Sequence, residues 1–162
     1  MAGGKLKIVV FGAYNAGKSS FIQAVDPDAR HVEAHTNEGD TTVALDYGRV
    51  EIHSLQVHLF GTPGQERFEF VREIISRGMD AAILLVDCSV AADEFTMNLY
   101  DTLAKKNIPL AVMLNKCDLA GACPGTLRAA FENSQVYEIC ASERARAMPA
   151  LVAFVETLVR DL

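Results

Sequence analysis

The chain has 162 residues, 50% of them hydrophobic and 22% charged, and its 15 Lys/Arg against 21 Asp/Glu give a formal net charge of −6. This is one globular domain with a core of useful size, which excludes a disordered segment or a low-complexity array. The acidic balance excludes a diffuse nucleic-acid or anionic-membrane surface, so an anionic ligand has to be held by a local device.

Along the chain, apolar runs of strand length alternate with stretches of helical period, the βα pattern of a mostly parallel sheet. Lys7–Phe11 predicts a buried first strand, and Ser19–Val25 a short helix stopped by Asp26-Pro27. Arg30–Thr42 is polar and aperiodic and predicts a loop, of a length that points to function. Val43–Ile52 and Leu55–Phe60 predict a hairpin turning at His53-Ser54, followed by a Gly/Pro turn over Gly61–Glu66. Phe68, Val71 and Ile75 mark one face of a helix ended by Gly78. Ala81–Val86 and Leu110–Leu114 have the look of interior strands buried on both faces. Between them Phe95, Leu99 and Leu103 give a helix its packing face. Gly125–Glu132 predicts a short helix and Val136–Ile139 a last strand, the sixth. Pro149 suits a first helical turn, and Leu151, Phe154/Val155, Leu158/Val159 and Leu162 follow as an amphipathic stripe. No repeat, linker or composition break interrupts the sequence.

No apolar run approaches bilayer length. MAGGKLK lacks a signal-peptide segment and the Met-Gly of myristoylation, and VRDL carries no prenylation cysteine. The expectation is a cytoplasmic protein without lipid anchor or transmembrane segment. Cys88, Cys117, Cys123 and Cys140 form no CxxC pair and predict neither a disulfide framework nor a zinc site.

Two motifs carry chemistry. The first strand runs into GAYNAGKSS, a G-x-x-x-x-G-K-S at Gly12, Gly17, Lys18 and Ser19. Such glycines let successive N–H groups curl inward around phosphate oxygens, and the following helix adds the positive end of its dipole. Lys18 would neutralise β/γ-phosphates and the Ser19 hydroxyl would coordinate Mg²⁺. The second motif, Asn115-Lys116-Cys117-Asp118, ends a buried strand, where α/β folds place ligand groups. The Asp118 carboxylate can accept both guanine N1–H and the 2-amino group, whereas adenine would leave it unpaired. Asn115 would serve N7 and brace loops, and the Lys116 stem would cover the base.

With these motifs in place, the chain resembles the Ras-like small GTPases over nearly all its length. The resemblance implies an α/β P-loop small-GTPase (G-domain) fold, residues 1–162 forming one domain. Its central, mostly parallel six-stranded sheet would be flanked by helices on both faces. GTP/GDP and Mg²⁺ are the implied ligands. Asn15, Ala16 and Ser20 would complete the phosphate cradle, and Leu119 would lie beside the base. Tyr137–Ser142 looks like the last guanine loop, with Cys140, Ala141 and Ser142 at the base and the Ala141 amide on its oxygen; Cys140 and Ser142 replace the usual Ser and Lys. Thr42 matches the switch I threonine that binds Mg²⁺ and γ-phosphate, with Thr41 the alternative. In LFGTPGQERF, Gly64 would offer an amide to the γ-phosphate and Gln65 would orient the attacking water, Gln65 and Lys18 being the catalytic pair. The switch segments would be about 36–47 and 61–77, and Val43–Tyr47 resembles the family's exposed edge strand, open to docking.

Two departures stand out. Gly61 occupies the position of an Asp that holds Mg²⁺ through water, so weaker Mg²⁺ coordination is expected; Glu38 and Asp40 are nearby carboxylates that the spacing does not assign. Tyr14 sits where relatives have a small residue and would crowd Gln65 and an incoming arginine. The Gly-Thr-Pro-Gly-Gln form is similar to the prokaryotic MglA-like and conservon-type branch, which implies a roadblock/LC7-type protein partner.

Other residues fit structural roles. His31, Glu33 and His35 have metal-like spacing but read as solvated loop side chains, and His53 and His58 as surface residues. The cysteines near strand ends read as small buried hydrophobes. Arg67 and Arg72 read as exposed helix arginines facing a partner or solvent, with a contribution to transition-state charge the alternative. Three functions compete: a slow GTP-hydrolysing switch, a guanine-nucleotide scaffold with little turnover, and a P-loop small-molecule kinase. The last lacks a lid and basic clamps.

Overall fold

The computed structural model describes residues 4–35, 42–63, 69–119, 121–122 and 124–160, and of residues 32–35 and 42–44 the backbone alone. In chain order these residues form β1 (Lys5–Gly12), α1 (Lys18–Val25), β2 (Arg30–His35), β3 (Thr42–Ile52), β4 (Leu55–Gly61) and α2 (Glu69–Ser76). There follow β5 (Ala81–Asp87), α3 (Glu94–Ala104), β6 (Leu110–Asn115), α4 (Pro124–Ala130), β7 (Gln135–Ile139) and α5 (Arg144–Arg160).

The sheet has seven strands in the order β2-β3-β4-β1-β5-β6-β7. β4, β1, β5, β6 and β7 run parallel, while β3 is antiparallel to both of its neighbours. The central strands separate their side chains onto two cores, as the period of two requires. Ile8 and Val10 join Phe21, Ile22, Leu59, Met113, Leu151 and Phe154 beneath α1 and α5. Val9 and Phe11 join Val71, Ile75, Leu103, Leu127 and Phe131 on the face covered by α2, α3 and α4. β5 and β6 are buried on both faces almost throughout, which explains their unbroken apolar sequences. The β3–β4 hairpin turns at His53 and Ser54, both with positive φ (51° and 66°), as the twist of a two-residue connection demands.

Three expectations are corrected. The sheet has seven strands rather than six, because Arg30–His35 is a strand, paired with β3 from Arg30↔Tyr47 to His35↔Thr42. Val32 and Ala34 alternate with polar residues there, a two-residue apolar signal too short to register as a period. Val43–Tyr47 is therefore covered along one side by β2, with Asp46 and Tyr47 also paired to β4, and β2 is the edge. Pro149 lies inside α5 rather than in its first turn, since the helix begins at Arg144. The pyrrolidine removes one backbone donor from the ladder, while Ala147, Ala150, Leu151 and Phe154 remain buried against the sheet. Val159 is 40% exposed and leaves the predicted stripe, and Leu162 lies outside the described residues.

Phe154, fully buried between α5 and the sheet, should therefore dominate that packing. Phe154→Ala is expected to lower unfolding free energy by about 3–5 kcal/mol, whereas Val159→Ala should stay within about 0.5 kcal/mol. Urea denaturation midpoints at constant slope check both.

Candidate functional site

β1 ends at Gly12, and a tight turn (Ala16 N–H to Ala13 O, 3.0 Å) delivers the chain into α1 at Lys18. Gly17, immediately before α1, adopts φ 101°, and a Cβ there would collide with the Asn115 side-chain amide. Only glycine meets both demands. Lys18 is largely buried and its Nζ donates to the carbonyls of Gly12 (2.7 Å) and Ala13 (2.8 Å). Burial pushes its ammonium down to about 8, opposed by the Asp46 carboxylate and reinforced by Arg72. A phosphate here would supply the negative charge that this buried cation lacks.

The second wall of the site is the end of β6. Asn115 is buried, and its amide joins three segments: Nδ2 donates to Ala16 O (3.0 Å), while Oδ1 accepts from Lys116 N (2.9 Å) and Ala141 N (2.8 Å). The Ala141 amide predicted to meet the base oxygen is thus already engaged, and a base oxygen would share or displace that bond. Lys116 adopts φ 65° and sends Nζ to Asn15 O and to Asp87 Oδ2, each at 3.1 Å. Cys140 Sγ lies 3.5 Å from Ser142 Oγ.

Between these walls lies a cleft of about 850 Å³, ample for a mononucleotide. Asn15, Gly17, Lys18, Ser19 and Ser20 line its P-loop wall; Asn115, Lys116, Asp118, Leu119, Cys140, Ala141 and Ser142 line the other. Gly12 and Ala16 contribute backbone beneath the lining. Gly64, Gln65, Arg67, Glu38, Asp40 and Thr41 lie outside the described residues; Thr42 opens β3, its side chain likewise outside the description. Tyr14 lines the cleft with 71% of its surface exposed.

Two residues that sequence reasoning missed enter the site. Asp87, at the carboxyl end of β5, accepts from Ser89 N (2.9 Å), Ser89 Oγ (2.6 Å) and Lys116 Nζ. Burial would raise its pKa, but the Ser89 bonds and the Lys116 ammonium outweigh that and hold it below the usual carboxylate range. Its place at a strand end beside the nucleotide motif was the available signal. Asp46 is the other: Ser19 Oγ donates to Asp46 Oδ2, and His31 Nδ1 lies 2.7 Å from Asp46 Oδ1.

Arg72 is not on an exposed face. It is buried, donates to Pro63 O (3.1 Å) and lies over the Phe95 ring at 5.1 Å. His31 lies on β2 rather than in a loop. His58 Nδ1 lies 2.7 Å from the Tyr47 hydroxyl, and burial, Lys5 and Arg49 keep its pKa low. Cys88 is buried; burial and the contact with Cys88 push the Cys117 thiol up to about 12, far from a reactive thiolate. Among the described residues no metal-holding group of three or more His, Cys, Asp or Glu occurs, and no helix is long and apolar enough to cross a membrane.

A glycine cradle at the head of a helix, a buried lysine and an Asn-Lys-x-Asp turn across one cleft define a P-loop G domain. Residues 7–116 match the family model described as 50S ribosome-binding GTPase, and the chain belongs to this family of GTPases. It is similar to protein MJ1339 of Methanocaldococcus jannaschii, with 32% identity over 136 residues, 84% of this chain and 80% of the relative. It is also similar to the tRNA modification GTPase MnmE of Actinobacillus pleuropneumoniae, with 33% identity over 131 residues. That match covers 74% of this chain but only 28% of MnmE. The G domain of the FeoB iron transporter of T. maritima has the same fold, with a TM-score of 0.74 at 16% identity over 96% of this chain and 99% of that one. The protein is a GTP-binding G-domain protein.

The Asn115 amide makes one prediction direct. Asn115→Ala frees the Ala16 carbonyl and the Ala141 amide together, and is expected to cost about 1–3 kcal/mol for each buried group left unpaired. Thermal unfolding, with GDP titration alongside, should show lower stability and weaker GDP binding in the same variant.

Proposed function

We propose that the chain is a slow GTP-hydrolysing molecular switch whose site binds GTP or GDP with Mg²⁺. The observation that carries this reading is the single cleft that joins the phosphate cradle to Asp118 through Asn115. The cradle amides and Lys18 would hold the phosphates, and Asp118 would accept from the guanine edge. Ser19 and Thr42 would provide hard oxygen donors suited to Mg²⁺. Ser19 lines the P-loop wall of the cleft, which fits such an ion. When bound, the ion supplies positive charge against that developing on the phosphates.

Hydrolysis needs little covalent chemistry from the protein; it needs positioning and charge neutralisation. In this reading Gln65 aligns the attacking water and Gly64 offers its amide to the γ-phosphate. Segments of about 36–47 and 61–77 respond to the nucleotide and meet a protein regulator or effector. The resemblance to the MglA-like branch supplies the roadblock-type candidate. Because β2 covers Val43–Tyr47, such a partner would meet β2 as the sheet edge.

Base selection is tested by competition among GDP, XDP and ADP. GDP should bind far more tightly than ADP. Asp118→Asn should weaken GDP by at least about 1.5–3 kcal/mol, the scale of one charged hydrogen bond, and favour XDP, whose 2-oxo group accepts where guanine donates. Equal wild-type affinity for ADP and GDP would refute the assignment.

Turnover is tested by single-turnover GTP hydrolysis. Slow wild-type hydrolysis is expected to fall about 100-fold in Gln65→Leu, the cost of a misplaced reactant. No wild-type hydrolysis, with GDP binding intact, would support the scaffold reading.

A further inference from the structure

Beside Ser19, which lines the cleft, stands a carboxylate, that of Asp46, where the sequence motif has none. Gly61, the last residue of β4, stands opposite Asp46 in the antiparallel β3–β4 register. Directly opposed residues project to the same face of a sheet, so a side chain at 61 and the one at 46 would share one space. A Cβ added at Gly61 would lie 3.2 Å from Asp46 Cβ and 3.1 Å from Ile22 Cδ1. A side chain at 61 therefore needs the Asp46 Cβ or the Ile22 side chain to give way, so the two positions cannot both carry a carboxylate without displacement.

Asp46 is the one that carries it. Its side chain is only 15% exposed and is held at both oxygens, Oδ1 by His31 Nδ1 and Oδ2 by the Ser19 hydroxyl. Ser19 is the P-loop hydroxyl expected to ligate a nucleotide-bound cation. A hydroxyl that ligates a cation must direct its proton elsewhere, and a carboxylate accepting that proton leaves the oxygen lone pairs free. The negative charge of Asp46 also reaches the neighbouring Lys18, whose ammonium it favours. By contrast, Asp87 is committed to Ser89 and Lys116 on the other side of the cleft.

We propose that Asp46, on β3, supplies the carboxylate that supports the divalent cation of the bound nucleotide, orienting the Ser19 hydroxyl and replacing the absent carboxylate at position 61. Asp46 is a positioning residue that acts through Ser19 and through its charge. The proposal rests on the guanine-nucleotide reading above.

The test is the release of a fluorescent GDP analogue as a function of free Mg²⁺, with affinity in EDTA measured in parallel. Asp46→Asn, which keeps the shape and removes the charge, should raise the half-saturating Mg²⁺ about 10–100-fold, the range for loss of an outer-shell partner. Its affinity for the analogue in EDTA should change several-fold less than the half-saturating Mg²⁺ does, since only the Lys18 charge is then affected, a split that a merely structural role would not give. Gly61→Asp alone should not tighten Mg²⁺ coupling, because the Asp46 Cβ and Ile22 already crowd that space, whereas Gly61→Asp combined with Asp46→Gly, which removes that Cβ, should recover most of the loss. A wild-type Mg²⁺ curve in Asp46→Asn overturns the proposal, and so does tighter Mg²⁺ coupling in the Gly61→Asp single variant. Failure of the wild-type protein to bind the analogue with or without Mg²⁺ overturns the nucleotide reading itself and the proposal with it.

Discussion

The site depends on one buried side-chain amide. Asn115 ties the end of β6 to the P-loop through Ala16 O and to the last loop through Ala141 N. These three segments are far apart in sequence, and each is a short turn following a strand. Bridging them with a buried, fully satisfied amide converts three turns into one rigid rim. Gly17 has no side chain because Asn115 occupies the space beside it, so the glycine-rich turn and the Asn-Lys-x-Asp turn are built on each other. The sheet beneath provides the stiffness: β1, β5 and β6 are buried among apolar neighbours and end together at the rim.

Charge is managed locally within an acidic molecule. A net charge of −6 opposes anion binding at long range, yet the rim concentrates cationic groups and backbone donors. Lys18 lies buried in the cradle, and Lys116 spans from Asn15 O to Asp87 on the other side. Asp87 pairs with Lys116, and the charge of Asp46 reaches Lys18 without a direct ion pair. Burial costs the Lys18 ammonium much of its usual basicity, only partly offset by Asp46, and a phosphate would offset it further. The energetic arrangement thus favours the bound state through local compensation rather than overall attraction.

Most of the fold was legible because its strands are extreme. Ala81–Val86 and Leu110–Leu114 are continuous apolar runs, since both faces of β5 and β6 are covered. The P-loop and Asn-Lys-x-Asp turn were legible because backbone curvature and base pairing admit few residue types. What escaped notice was set by tertiary context. β2 has only Val32 and Ala34 as apolar signal and pairs along a single neighbour, β3. Arg72 is polar in sequence yet buried, because Phe95 and the Pro63 carbonyl receive its guanidinium. Asp46 could not be found from spacing, since its proximity to Gly61 arises from antiparallel pairing across the sheet and its contact with Ser19 from the packing of α1 on β3. Pro149 misled by a genuine preference for first turns, overridden here by the buried alanines and leucine around it.

The coupling of cradle and base turn through Asn115 is measured most directly by following backbone amide resonances of isotope-labelled protein during titration with GDP and with ADP. If one rim binds one guanine nucleotide, GDP should shift the amides of residues 15–20, 116–119 and 140–142 along a single binding curve, and ADP should leave the last two groups unmoved at the same concentrations. Separate curves for the cradle and for the base turn, or equal shifts with ADP, would contradict it.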